Sequence, residues 1–565
     1  MKQGSSLKLN QLHLRIRDIT HIMESRRSGF LLVAFILVMQ VALITFWASQ
    51  RSNYYIDELF SFGSAHSYTF DKKDIMYINR SDAWQYEQWV DNRVLKEQLK
   101  VTETESLLSR QPTDAIRMLL TRRNYLGILN ILMTVFSPGE VSAAPAVVFN
   151  LVLFVLAQIV LYRIMKNLTD SNVVSVLAIM MYGFSGMAIS TVLYIRFYML
   201  VTLLLLLLIQ IHQRMWQVES LLRCELLTLL SMGLIYVAMK DSELVFIVAG
   251  ALTASYAVGL LLGKQRKKAF LYSITVFPIS VLYAVTKTSF VDIVLHPSRY
   301  VDGNGAEAWM TYKLLTANKD RIVSLIFKYL GWLSDLLFGS WYALCCFVIL
   351  VLILLEVKYL GSMGYATTEK HEKGKGFIWV IAAICLVYYV FSLLTAIPAE
   401  RYFMFYFPML TILLWKAIHE LSRNTACRGE VLVICLALTV FGAVSLQCLR
   451  PEIIDFVYLE DRPLIQAVQD SGIDHAIVIY TDERDSNHST YECLNLMPEN
   501  AKLYPMKTEK HHIDVSECPD EVLVWIHYDR SPEQYISELL EEGYELEELG
   551  GTHASDVYIA KHSAC

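Results

Sequence analysis

Two adjacent carboxylates, Asp57 and Glu58, stand in the stretch NYYIDELFSFGSA, directly after an apolar run that ends at Ser49. Further ionisable groups recur at the ends of later apolar runs: Arg196 in LYIRFYML, Lys240, Asp241 and Glu243 in AMKDSELVF, and Glu400 and Arg401 in IPAERYFMFYFP. A charge near a membrane interior costs at least a few kcal/mol, so ionisable groups in such places are candidates for function. An arginine grips phosphate oxygens with a planar fork and keeps its charge at any physiological pH. A carboxylate opposite it can take the proton of an attacking hydroxyl. Such a set suits displacement of a phosphate by a hydroxyl, and with a sugar on that phosphate the reaction is glycosyl transfer.

Those residues need a frame that brings them to one side of a membrane. Of 565 residues, 55% are hydrophobic and only 18% charged, with a mean hydropathy of +0.39, which excludes a string of soluble domains. The net charge of -6 is spread along the chain with no basic tract carrying interleaved aromatics, so nucleic acid is not an expected partner. A span needs about 20 apolar residues, and on that rule about eleven spans are expected. The first is Gly29 to Ser49, then Val141 to Tyr162, Val173 to Ile195, Tyr198 to Ile211, Leu226 to Met239 and Leu244 to Leu262. Ala269 to Val285, Trp341 to Val357, Phe377 to Ala396, Phe403 to Ala417 and Val431 to Leu446 follow. Counting from Arg15, Arg17, Arg26 and Arg27, the loops with Arg163 and Lys166, Arg214 and Arg223, Lys264 to Lys268, Lys370 to Lys375, and Arg423 and Arg428 fall on one side. The positive-inside rule makes that side cytoplasmic and places the C-terminal tail outside.

The expected fold class is therefore a polytopic α-helical membrane protein with a small extracytoplasmic α/β domain. Residues 1–28 form a cytoplasmic segment, 29–449 the transmembrane domain, and 450–565 the α/β domain. Within the transmembrane domain, a first outer loop at 50–140 holds Asp57 and Glu58, and a second covers 290–321. Tyr125 to Phe136 is apolar but too short to span, which predicts a re-entrant or interfacial helix, and Ile322 to Leu337 is amphipathic enough to lie on the surface. In the tail, HAIVIYTD, EVLVWIHYD and DVYIAK read as strands, and RPLIQAVQDSG and SPEQYISELLEEGYELEEL as helices. The ten cysteines show no metal-ligand spacing; Cys493 and Cys518 lie in the tail, where an oxidising compartment would allow them to pair.

IDELF, YIRFYML and ERYFMFYFPML together resemble the GT-C glycosyltransferases, polytopic enzymes that use polyprenyl-phosphate sugars. The pattern is most similar to the protein O-mannosyltransferase and aminoarabinose transferase types. The run RRNYLGILNILMTVFSPGEVSAAPAVVFNLVLFVLAQIVLYRIMKNL resembles their passage from the first outer loop into the second span. The likeness covers roughly Gly29 to Leu421 and departs from the family where a proline-rich turn is replaced by RRNYLG and a histidine-containing segment by AMKDSE.

The resemblance implies an inverting transferase in which Asp57 is the catalytic base, with Glu58 supporting it or binding the acceptor. Arg196 and Arg401, with Tyr198, Tyr402 and Lys240, would hold the donor phosphate; Asp241, Glu243 and Glu400 would meet sugar or acceptor. The donor is a polyprenyl-phosphate sugar, with its lipid tail near Phe403 to Phe407, and the acceptor is a glycan, lipid or protein outside the cell. No cofactor or metal ligand set is demanded, although a divalent cation near the acidic pair is compatible with the chemistry. Each residue also has a plainer reading. Asp57 and Glu58 could cap the helix that follows, Arg196 and Arg401 could snorkel beside belt tyrosines, and Lys240 to Glu243 could be a solvated turn. His296, Arg299, Arg321, His511 and His512 read as surface residues. The alternatives from other classes are a polysaccharide polymerase and a lipid-linked glycan transporter. A transporter should carry ionisable groups toward the midplane, and Val147 to Leu161 and Leu203 to Leu208 carry none.

Overall fold

The computed structural model describes residues 26–66, 88–100, 123–242, 244–287, 319–338, 377–393, 400–423, 438–439, 441–479, 487–506, 519–527, 532–553 and 555–562. The chain folds as two compact units. The first combines Met1–Thr45, Asn150–Val192 and Phe197–Ile454; the second combines Phe46–Phe149, Leu193–Arg196 and Asp455–Cys565.

The first unit is helical. Across the described residues five helices are long and apolar enough to cross a membrane: Gly29–Ser49, Ala144–Thr169, Tyr198–Gln217, Leu221–Met239 and Leu244–Leu262. This is a multi-pass membrane protein. Instead of the single expected span Val173 to Ile195, the helices Asn172–Gly183 and Gly186–Leu193 meet at a bend of 58°. The glycines at the bend are closely packed: a Cβ on Gly183 would lie 2.2 Å from the amide nitrogens of Gln40 and Gln158, and one on Gly186 would lie 2.6 Å from Ile453 Cγ2. Those two buried glutamines use the same helix, both donating to the Ile179 carbonyl while Gln158 also donates to Gln40. Hydrogen bonds of this kind satisfy polar groups that lipid cannot.

These helices account for five or six of the eleven expected spans among the described residues. Helices Arg266–Lys287, which contains Pro278, and Phe377–Leu393 occupy two more expected places. The expected Phe403 to Ala417 becomes a turn of 3₁₀-helix at Glu400–Phe403 and a helix Phe407–Arg423. Trp341 to Val357, most of Val431 to Leu446, most of the loop 290–321 with His296 and Arg299, Glu243, Cys518, His511 and His512 lie outside the described residues, as do the side chains of Arg321 and Glu400. Amphipathic Ile322 to Leu337 forms the helix Lys319–Phe338.

The second unit is built on a six-stranded mixed sheet. Its strands are β1 (Val90–Asp91), β2 (His475–Ile479), β3 (Lys502–Met506), β4 (Glu521–His527), β5 (Tyr544–Gly551) and β6 (Ser555–His562). Their order is β1-β3-β2-β4-β6-β5, with β2 parallel to β3 and β4, and the outer pairings antiparallel. Alternate residues of the central strands, among them Ile477, Ile479, Val522, Val524 and Ile526, bury one face with Leu539 and Tyr544. The expected helix SPEQYISELLEEGYELEEL is a helix only over Pro532–Glu541. Gly543, at φ +88°, ends it, and the remainder pairs with β6 as strand β5.

β1 comes from the first outer loop, not the tail. It pairs with β3 at Val90 to Leu503 and Asp91 to Lys502. Beside it, buried Asn92 donates from Nδ2 to the carbonyls of Leu494, Met497 and Pro498, capping the end of helix Asn487–Leu496. Trp89 packs edge-on to His475 and against Tyr504. In the same unit the short apolar helix Asn124–Phe136 lies against helix Ile56–His66, with Asn130 Nδ2 donating to the Ala65 carbonyl.

Candidate active site

Asp57 and Glu58 open the helix Ile56–His66, and they do different things. The Glu58 amide donates to the Tyr55 carbonyl, and Glu58 Oε2 accepts from the Tyr55 amide at 2.8 Å. That is the reciprocal carboxylate contact of a helix N-terminus. Oε1 accepts from the Ile195 amide at 2.8 Å, and Arg51 forms an ion pair with Oε2. Glu58 is wholly buried, with a side-chain exposure of 0%. A buried carboxylate is tolerated only when its lone pairs are taken up by charge and hydrogen bonds, and here they are. Arg51 is itself anchored, donating to the carbonyls of Asn53 and Leu193.

Asp57 keeps contact with solvent, at 18% exposure. One carboxylate oxygen accepts from the Tyr194 hydroxyl at 2.6 Å, and the other meets an Arg196 terminal nitrogen at 3.0 Å. Arg196 also reaches Ser61 Oγ at 3.5 Å. Both partners sit on the short segment Leu193–Arg196, so one tight stretch supplies the hydroxyl, the guanidinium and the amide that receives Glu58. Tyr194 is held by parallel stacking on Phe456, with ring centroids 4.0 Å apart, and Tyr55 meets both rings edge-on. Phe456 and Tyr458 lie at φ +67° and +55°, an uncommon backbone state for bulky residues. The carbonyls of the turn they form accept from Ser52: its amide donates to Val457 O at 2.9 Å, and its hydroxyl donates to Tyr458 O.

The arrangement leaves one ionic carboxylate oriented, hydrogen-bonded and partly accessible, beside a second that is structural. Capping accounts for Glu58; it does not account for Asp57, which faces Arg196. Arg51 is a residue the sequence reading passed over. Its signal was its position between the first apolar run and the acidic pair.

The other expected site residues belong to the first unit. Arg401 is half-buried, with its guanidinium 6.0 Å from the Tyr402 ring. Tyr402 accepts the Tyr388 hydroxyl at its carbonyl, and Tyr198 stacks on Phe197 and Phe405. Lys240 follows helix Leu221–Met239; Asp241 and Ser242 are buried, so the turn is not a solvated one. Phe403 to Phe407, expected beside a lipid tail, are buried in an aromatic cluster with Tyr329, Trp332 and Tyr388. A cavity of about 280 Å³ in this unit, lined by Met232, Ile235, Phe246, Thr253, Tyr272 and Phe277, presents no acid–base pair.

No protein-family model and no curated protein sequence matches the chain. Its structural neighbours include ArnT. One is ArnT from Cupriavidus metallidurans bound to undecaprenyl phosphate, at 11% identity and a TM-score of 0.47, over 93% of this chain and 97% of that one. Another is ArnT from the same organism in the apo state, at 11% identity and a TM-score of 0.44, over 95% of this chain and 98% of that one. At that identity the likeness assigns no role to any residue.

Proposed function

We propose that the protein is an inverting GT-C-type glycosyltransferase that moves a sugar from a polyprenyl-phosphate donor to an extracytoplasmic hydroxyl. The observation that carries this reading is Asp57, a carboxylate held by Arg196 and Tyr194 and still open to solvent. Asp57 would take the acceptor proton as the hydroxyl oxygen attacks the anomeric carbon. The bond from that carbon to the phosphate oxygen breaks on the opposite face, and polyprenyl phosphate leaves with the electron pair. Arg196 fixes the carboxylate, and a guanidinium is of the kind that receives phosphate charge. Glu58 acts as a positioning residue, holding Tyr55, Ile195 and Arg51 around the base. Arg401, Tyr198, Tyr402 and Lys240 as phosphate contacts, and Asp241, Glu243 and Glu400 as sugar or acceptor contacts, are proposed on residue type. The N-terminus is assigned to the cytoplasm, and the active site and tail to the outside, by the arginine and lysine pattern of the loops.

The test uses purified wild type and Asp57→Asn with a panel of polyprenyl-phosphate sugars, following donor binding and released polyprenyl phosphate. Release by wild type alone, with donor bound by both, supports the transferase and the base. If neither binds any donor, and vesicles instead translocate or extend a lipid-linked polymer, a transporter or polymerase takes its place.

A further inference from the structure

A second cluster in the sheet-bearing unit has no part in the reaction proposed above. Asp461, Glu492 and His553 bring one donor atom each to within 4.8 Å of one another. Asp461 closes a turn of 3₁₀-helix, Glu492 sits in helix Asn487–Leu496, and His553 lies in the turn between β5 and β6. Asn53, from the segment before Asp57, completes the group. We propose that these side chains form a site for a single divalent transition-metal ion of the zinc class, which fastens the Asn53 segment to the sheet.

The inward geometry fits such an ion. His553 Nδ1 lies 2.9 Å from Asp461 Oδ2 and 3.7 Å from Glu492 Oε1. Donors bound tetrahedrally at about 2.0–2.1 Å stand about 3.4 Å apart, between those two separations. Asn53 Nδ2 is 2.8 Å from both carboxylate oxygens. Asn53 Oδ1 accepts from the Tyr54 amide at 2.8 Å, which fixes this orientation, so Asn53 braces the two ligand carboxylates and water would be the fourth donor.

The outer atoms of both carboxylates are already fixed by neutral donors. Glu492 Oε2 accepts from Thr552 Oγ1 at 2.7 Å and Ser555 Oγ at 3.0 Å, and Asp461 Oδ1 accepts from the His553 amide. Hydrogen bonds of this kind orient ligand carboxylates around metals. The His553 ring is fixed too, stacked on Tyr458 with centroids 4.3 Å apart.

Charge points the same way. Asp461 and Glu492 are 0% and 3% exposed, and among the described residues the cationic group that meets them is one imidazole. Two buried carboxylates against one imidazolium leave uncompensated negative charge, which is costly in a dry interior. One nitrogen and two carboxylate oxygens, with water as the fourth donor, are too few for calcium, which takes six to eight oxygens, and suit zinc.

The experiment uses the full chain in detergent, stripped with chelator and re-dialysed against buffered zinc, with metal content measured by mass spectrometry after gel filtration. About one zinc per chain is expected, together with a raised unfolding midpoint. Cobalt in place of zinc should give the visible absorption of a four-coordinate site. Glu492→Gln and His553→Gln, each close in volume to the original, should weaken retention more than about 100-fold, whereas His475→Gln should leave it unchanged. Wild type that retains no zinc and gives no cobalt spectrum overturns the site and shows a self-sufficient hydrogen-bond network. Zinc held equally by Glu492→Gln and His553→Gln also overturns it, placing the metal elsewhere. Neither result bears on the transferase reading, which is scored by polyprenyl phosphate release.

Discussion

The sheet-bearing unit contains two pairs of carboxylates set in opposite surroundings. Asp57 and Glu58 face two guanidiniums, Arg196 and Arg51, and balance them one for one. Asp461 and Glu492 face one imidazole and an amide. The first pair has a guanidinium for each carboxylate, and Asp57 is its one partly exposed member. The second pair is shut away and, among the described residues, has one imidazole as its cationic partner, which favours taking a cation. Residue type alone does not separate a base from a ligand; the partners do.

The sharpest way to break the contrast is at the exposed carboxylate. Asp57→Asn keeps the shape and removes the base, and the rate of polyprenyl phosphate release should fall by about 10²–10⁴. Arg51→Met strikes the buried member instead. It leaves Glu58 charged and unpaired, and should destabilise the unit by about 3–5 kcal/mol, read as a lowered unfolding midpoint with donor binding lost in proportion to unfolding. Tyr194→Phe deletes one hydrogen bond to Asp57 without unpairing Arg196. A loss of about 1 kcal/mol should appear as a several-fold lower turnover with a near-normal midpoint.

The smallest effect separates the second pair by pH. Burial alone would lower the pKa of His553, but its hydrogen bond to Asp461 and the charges of Glu492, Asp461 and Glu460 outweigh that and raise it above the ordinary 6.5. Glu492 is raised above its ordinary 4.5. Both groups hold their proton more tightly when folded. In chelator, their contribution to stability is therefore present at low pH and declines as pH rises, from about 4.5 for Glu492 and 6.5 for His553 through their raised folded values. Thermal midpoints between pH 5 and 8 should fall in chelator, and Glu492→Gln should flatten the lower part of that fall. With zinc the trend should reverse, because protons compete for the same donors.

Much of the helical unit is legible in the sequence, because apolar length alone specifies it. Leu244–Leu262 is recovered with both ends, and Tyr198 starts its helix as expected. The break at Gly183 was not legible, since the residues packed against it, Gln40 and Gln158, come from two other helices. In the second unit the strands with continuous apolar runs, at His475–Ile479 and Glu521–His527, were readable. Lys502–Met506 was missed because Pro505 argues against a strand; β3 tolerates it, since β1 covers only Lys502 and Leu503. Asp57 and Arg196 stood out as charges beside apolar runs, but their mutual contact crosses 139 positions. The set Asn53, Asp461, Glu492 and His553 has no sequence spacing, since its members come from four separate segments.

The pairing of β1 with β3 also sets an order of events at the ribosome. Ser52 meets a carbonyl 405 positions further on, and the amide of Asn92 one 402 positions further on. At about 5–20 residues per second, some 20–80 s separate the translation of these partners. The acidic segment is thus threaded into place before the chain that will brace it exists. A product cut short before Phe456 would lack the turn that stacks on Tyr194 and steadies the segment around Asp57.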